Sequence, residues 1–330
     1  SHTFLPFNTV KPACIVEAIR QLTEGCLAEL EEQLESIETI TWKSLIEPIE
    51  EREDRLDQAW APVSHLNSVA NTEELRGAYE QALALITEFS TTIGQNKALY
   101  QAYEVLSTSE EYNQLSQAQK KSIDNALRSF RLAGVALTDD QKERFKVINA
   151  RLSELTTTFS NNVLDATQGW HIHVDDESRL SGLPEFAVNG AKKAAEGKAL
   201  HGYVFTLDGP VYLTVMTQAE NAELRREMYM AYTTRSSDQG PTAGQWNNNP
   251  LMEEILALRY EMAALLGFAN YAELSLVRKM ADNTDRVLSF LMELVQGAKT
   301  VAQQELAELR QWVGDTYGEV PLEAWDIPYY

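Results

Sequence analysis

"LTDDQKERFKVINARLSELTTTFSNNVLDATQG", residues 137–169, decides the fold class. Phe145, Ile148, Leu152, Leu155, Phe159 and Val163 recur every three or four residues, which puts them on one face of a helix and leaves the charged residues to the other. Thr138 followed three residues later by Gln141 has the spacing of a capping box, and Gly169 supplies a stop.

The same rhythm extends outward in both directions. Ile15, Ile19, Leu22, Cys26, Leu30, Leu34 and Ile37 form one apolar stripe, with the acids of "EEQLESIE" on the opposite side. Asn71, with Glu74 three residues on, predicts the cap of a helix that carries Leu75, Tyr79, Ala82, Ile86, Phe89 and Ile93 to a stop at Gly94. Asn249 before Pro250 predicts another, running through Ile255, Leu258, Met262 and Leu265 to Gly267. A last helix from Asp285 to Tyr317 would be about 50 Å long. Two stretches depart from this pattern. "GWHIHV" (169–174) and "HGYVFTL" (201–207) alternate with period two and flank an Ala- and Lys-rich helix at 184–197, so they read as two strands. "SSDQGPTAGQWNNNP" (236–250) is a loop by composition, and with its lone Trp246 it is the first place to look for function. The expectation is a mainly α fold with a small β element near residues 169–207.

Composition narrows the function classes. The 28 basic and 49 acidic residues leave a formal charge of −21, which repels phosphate backbones and anionic lipid, so nucleic acid and membrane partners are not expected. Cys14 and Cys26 lie on one predicted helix, roughly 18 Å apart, too far to bridge. Free thiols and the lack of a signal peptide favour the cytoplasm. The start, "SHTF", has no initiator Met, so Ser1 and His2 are consistent with a tag remnant.

No residue reads as catalytic, metal-binding or substrate-binding. The five histidines, His2, His65, His171, His173 and His201, include no His-Glu-x-x-His pair. His171 and His173 share a strand face, but a metal needs at least a third ligand, so two solvent-facing imidazoles are the simpler reading. Ser64-His65 reads as a loop or helix end rather than part of a triad, because triad members meet in space. Cys14 and Cys26 read as core or boundary residues, neither being placed beside a base.

Several long runs carry a resemblance: "WAPVSHLNSV" (60–69), "QKKSIDNALRSF" (119–130), "RLSELTTTFSNNVLDAT" (151–167), "LRREMYMAYTTRSSDQGPTAGQWNN" (224–248), "MEEILALRYEMAALLGFANYAELSL" (252–276) and "AWDIPYY" (324–330). In order and over essentially the whole chain, from "FLPFNTVKP" onward, they resemble the thimet oligopeptidase family of zinc metallopeptidases. That resemblance implies hydrolysis of short peptides in a deep channel that excludes folded proteins. It implies a zinc held by two His and a Glu, with a further Glu as general base, in a catalytic half that would follow Tyr330. Residues 1–216 would then be an N-terminal helical region forming a channel wall, and 217–330 the first helices of the catalytic region. Such a fragment is expected to be inactive alone and to need the missing half as its partner.

The aromatic tail "EAWDIPYY" (323–330) either folds back onto the chain's own core or is the entry to more protein; the resemblance favours the entry, which predicts that Trp325, Tyr329 and Tyr330 are left exposed or disordered. A stand-alone helical scaffold or peptide-binding module is the alternative the residues leave open.

Overall fold

The computed structural model describes residues 7–318 and 320–330; Ser1, His2 and the rest of 1–6, together with Glu319, lie outside the described residues. In chain order the helices are α1 (Pro12–Ser36), α2 (Glu47–Val69), α3 (Glu73–Gly94), α4 (Lys97–Ser107), α5 (Glu110–Gln114), α6 (Gln117–Leu132), α7 (Asp139–Gly169), α8 (Glu185–Gly197), α9 (Gly209–Gln218), α10 (Ala222–Thr233), α11 (Asn249–Leu265), α12 (Tyr271–Leu276) and α13 (Thr284–Tyr317). Two strands, β1 (His171–Val174) and β2 (Tyr203–Thr206), flank α8 and pair antiparallel with His171 opposite Thr206 and Val174 opposite Tyr203. The protein is therefore mainly α, with the small β element where the alternation predicted it. Among the described residues no helix is long and apolar enough to cross a membrane.

The chain divides into two compact units: residues up to Thr157 with Ala257–Tyr271, and Thr158–Leu256 with Ala272–Tyr330. In the first, α1, α2 and α3 bury Ile15, Ile19, Leu56, Leu75 and Ala82, and Trp60 stacks on Tyr79 with ring centres 5.1 Å apart. A second cluster gathers Leu30, Leu45, Leu99, Leu106, Ile123 and Phe130 from α1, α4, α6 and a single π-helical turn, Trp42–Ile46. Each such Leu or Ile taken fully out of water contributes about 1.5–3 kcal/mol. Gln33 of α1 holds the π-helical turn by donating to the Ser44 and Leu45 carbonyls at 2.7 and 3.1 Å, and it accepts from the buried Arg52.

Several helices, among them α3, α4, α6, α10 and α13, start on a side-chain cap, and two starts differ from the expected residue. Thr138 and Gln141 form the expected reciprocal pair at the head of α7. At α3 the cap is Thr72, which accepts the Leu75 N–H at 3.2 Å, and not Asn71. Thr72 has the extended backbone a cap requires, while the Asn71 side chain is committed to Asn67 and Arg76. Likewise α11 already includes Asn249, and the residue before it, Asn248, accepts the Met252 N–H on its carbonyl at 2.9 Å. Gly267, at φ +83°, ends that helix in the left-handed conformation that suits glycine.

The second unit packs β1, β2, α8, α9 and α10 around Ile172, Val174, Phe205, Met216, Leu224 and Met228. The burial of Ile172 and Val174 puts the apolar face of β1 inward, as the alternation requires. In α13 the only buried residue is Val313.

Candidate functional site

The most developed polar arrangement is a seat around Arg225 in the second unit. Asn221 caps α10 by accepting the Leu224 N–H at 2.8 Å, which sets the next residue, Arg225, in the first turn and 1% exposed. Its Nη1 donates to the Ala219 and Glu220 carbonyls just past α9, at 2.7 and 3.1 Å. Its Nη2 donates to Asp326 Oδ1 at 2.5 Å, and Asp326 is itself 4% exposed. The guanidinium lies 4.2 Å from the centre of the Tyr329 ring, while its Nε has no hydrogen-bond partner.

The tail winds about the same aspartate. Asp326 Oδ2 accepts the Glu323 N–H at 3.2 Å, and its carbonyl accepts the Tyr329 and Tyr330 N–H groups, both at 3.1 Å. Trp325 meets Tyr229 edge-on at 6.0 Å, and Tyr330 rests against Trp312 and Tyr317 near the end of α13. This corrects the expectation of an exposed tail: Trp325, Tyr329 and Tyr330 are half-buried, and only flanking residues such as Ile327 and Pro328 face solvent. The physical reason is that Asp326 supplies the countercharge for an arginine already withdrawn from water.

The 236–250 loop is held too, by neutral groups. The Asn248 N–H donates to the Ser236 carbonyl at 2.8 Å and closes the neck of the loop. Ser236 Oγ donates to the Asn162 carbonyl at 3.0 Å, Asn248 Nδ2 to the Phe159 carbonyl at 3.1 Å, and Asn162 Nδ2 to Asn248 Oδ1 at 2.8 Å. Trp246 lies so close to Gly169 that a Cβ there would stand 2.5 Å from the indole, so the one tryptophan of the loop is a packing residue against the end of α7. Beside it, Arg235 lies 3.8 Å from the Tyr232 ring centre and donates to Thr167, and Tyr232 in turn stacks on Tyr212.

The residues weighed from the sequence do not come together. His173 contacts the His201 carbonyl and stands 3.2 Å from Asp175, while burial, then Lys198 and His173, hold the His171 imidazole below its ordinary value. Ser64 and His65 lie within the last two turns of α2, and His65 packs on Phe7. Cys14 is exposed, whereas Cys26 is buried with its thiol pushed up by that burial, which makes it a poor nucleophile. Among the described residues no group of three or more His, Cys, Asp or Glu is placed to hold a metal ion, so these side chains do not fit a zinc site. What the arrangement offers is fixed geometry. Arg225 carries no motif, and the available signal was its place beside the apolar stripe of Leu224, Met228 and Ala231.

Comparison with known proteins then identifies the lineage. Residues 16–142 match the family "Neurolysin/Thimet oligopeptidase, N-terminal domain", and residues 215–330 match "Peptidase family M3". Oligopeptidase A of Haemophilus influenzae is 50% identical over 325 residues, which cover 98% of this chain and 48% of that protein. Oligopeptidase A of Salmonella typhimurium is 48% identical over 330 residues, covering 100% and 48%. A probable cytosolic oligopeptidase A of Arabidopsis thaliana is 34% identical, covering 99% and 47%. The chain thus spans about half the length of the relatives it matches. With the two family matches following one another along the chain and this identity extending over 98% of it, the chain belongs to peptidase family M3.

Proposed function

We propose that this chain is the N-terminal portion of a cytoplasmic zinc-dependent oligopeptidase that hydrolyses short peptides, and that it shapes the substrate channel. The observation that carries this reading is the 50% identity to oligopeptidase A over 98% of the chain. Residues 1–216 form the channel wall, and residues 217–330 are the first helices of the catalytic region. The start of the family M3 match at residue 215 supports that division.

The zinc and the groups that act on the peptide bond belong to the part of the family-length protein that lies beyond these 330 residues, so the chain alone is inactive. Its contribution is to exclude folded proteins and to admit short peptides, a matter of shape rather than of proton transfer. The free thiols of Cys14 and Cys26 suit a reducing compartment.

The test compares the 330-residue chain with a family-length protein extended past Tyr330. Only the longer one is expected to bind one zinc and cleave short peptides. Zinc-dependent hydrolysis by the pure 330-residue chain, or none by the longer protein, overturns the reading.

A further inference from the structure

The first half of α13 presents an exposed apolar surface. Leu288, Phe290, Leu291, Met292, Leu294 and Val295 are each between 49% and 60% exposed. At 100° per residue, Leu288, Leu291, Leu294 and Val295 fall on one side with Ala298 and Ala302, while Ser289, Glu293, Gln296 and Thr300 fall on the other. An amphipathic helix of this kind forms in a protein because its apolar side is covered. Toward the other end of α13 that cover exists: Leu306 and Leu309 are half-buried and Val313 is 1% exposed. The helix is moored at its C-terminal end and bare at its N-terminal end.

We infer that the bare face of α13, residues 287–301, is the docking surface for the portion of the family-length protein that lies beyond these 330 residues. The inference rests on the peptidase reading above. Its occupant follows from three observations. The relatives are about twice as long as this chain, so a family-length protein has as much chain again with which to cover the face. Tyr330 packs on Trp312 and Tyr317, so a chain continuing past it sets out beside the moored end of the same helix. The apolar side carries no charged residue from Leu288 to Ala298, which suits a packed apolar surface, and the −21 charge of the chain argues against an anionic membrane.

The experiment uses both lengths of protein and two readouts. Hydrogen exchange over residues 287–301 is expected to be fast in the 330-residue chain and strongly protected in the family-length protein. The double substitution Leu291→Asp with Leu294→Asp is expected to lower the Tm of the family-length protein by several degrees and to leave that of the 330-residue chain unchanged, while Ser289→Asp with Thr300→Asp changes neither. Fast exchange in the longer protein, or equal Tm changes at both lengths, overturns the inference. So does sedimentation of the 330-residue chain as a dimer that the double substitution dissociates, which would assign the face to a second copy. Peptide hydrolysis by the unsubstituted longer protein judges the peptidase reading separately: activity with an unprotected α13 sinks only the docking surface, and protection without activity sinks only the peptidase.

Discussion

The tail at 323–330 and the first half of α13 are both rich in apolar side chains, yet the protein treats them in opposite ways. The tail turns back and seats Asp326 on Arg225, with Trp325 and Tyr329 packed beside the pair. The helix holds its Leu and Phe side chains in solvent. A segment of eight residues can bend to reach a pocket within its own unit, whereas a rigid helix about 50 Å long cannot bend around its own apolar side. Greasy composition alone therefore does not mark a surface that waits for a partner. The docking inference for α13 rests on the combination of apolar composition with stiffness.

If this contrast is right, damage should scale with how each segment is held. Arg225→Ala removes the guanidinium and leaves the Asp326 carboxylate buried without a countercharge, which is expected to cost about 3–5 kcal/mol in urea unfolding. Deleting residues 325–330 leaves the arginine unpaired instead and should cost a similar amount; an unchanged midpoint for either variant would erase the difference between tail and helix. The 236–250 loop is an intermediate case, pinned by neutral bonds. Asn248→Ala leaves the Phe159 carbonyl and the Asn162 amide without their partner and should cost about 1–3 kcal/mol, measured in the same way.

The smallest effect concerns pH and belongs to neither region. His171 has its imidazole held below the ordinary 6.5, chiefly by burial. As pH falls below that value the unfolded chain takes up the proton first, so the stability contributed by neutral His171 is present above 6.5 and is lost as pH falls through the lower folded value. The unfolding midpoint should therefore drop slightly between about pH 7.5 and about pH 5.5, and His171→Gln should flatten that part of the slope.

Much of this architecture was readable from residue order. Period and caps located α1, α3, α7 and α13, and alternation located β1 and β2, because both signals are local. The cap at Thr72 was missed by one position because Asn71 and Thr72 are both good caps, and only backbone geometry chooses between them. The short helices α4, α5, α9, α10 and α12 carry too few turns for a stripe to stand out, whereas α2 and α6 are long enough and were missed for another reason, their apolar positions being interrupted by charged and polar residues. The Arg225 seat left a single trace in the sequence, the place of Arg225 beside the apolar stripe of α10, and nothing pointed to its partner. Arg225 and Asp326 are 101 residues apart, and an arginine on a helix ordinarily reads as solvent-facing. The loop showed in composition, but its rigidity depends on Asn162 and Phe159, residues that in α7 look like any others.

Gly297 lies along the bare stretch of α13 but to the side of its apolar face, and a Cβ built there meets nothing within 4 Å. Glycine inside a helix is less favourable than alanine by about 0.5–1 kcal/mol, so Gly297→Ala should stabilise the 330-residue chain by roughly that amount. The residue can thus serve as a proximity gauge whose reading is a sign. Where another backbone comes close to α13, the added methyl collides and the same substitution turns destabilising.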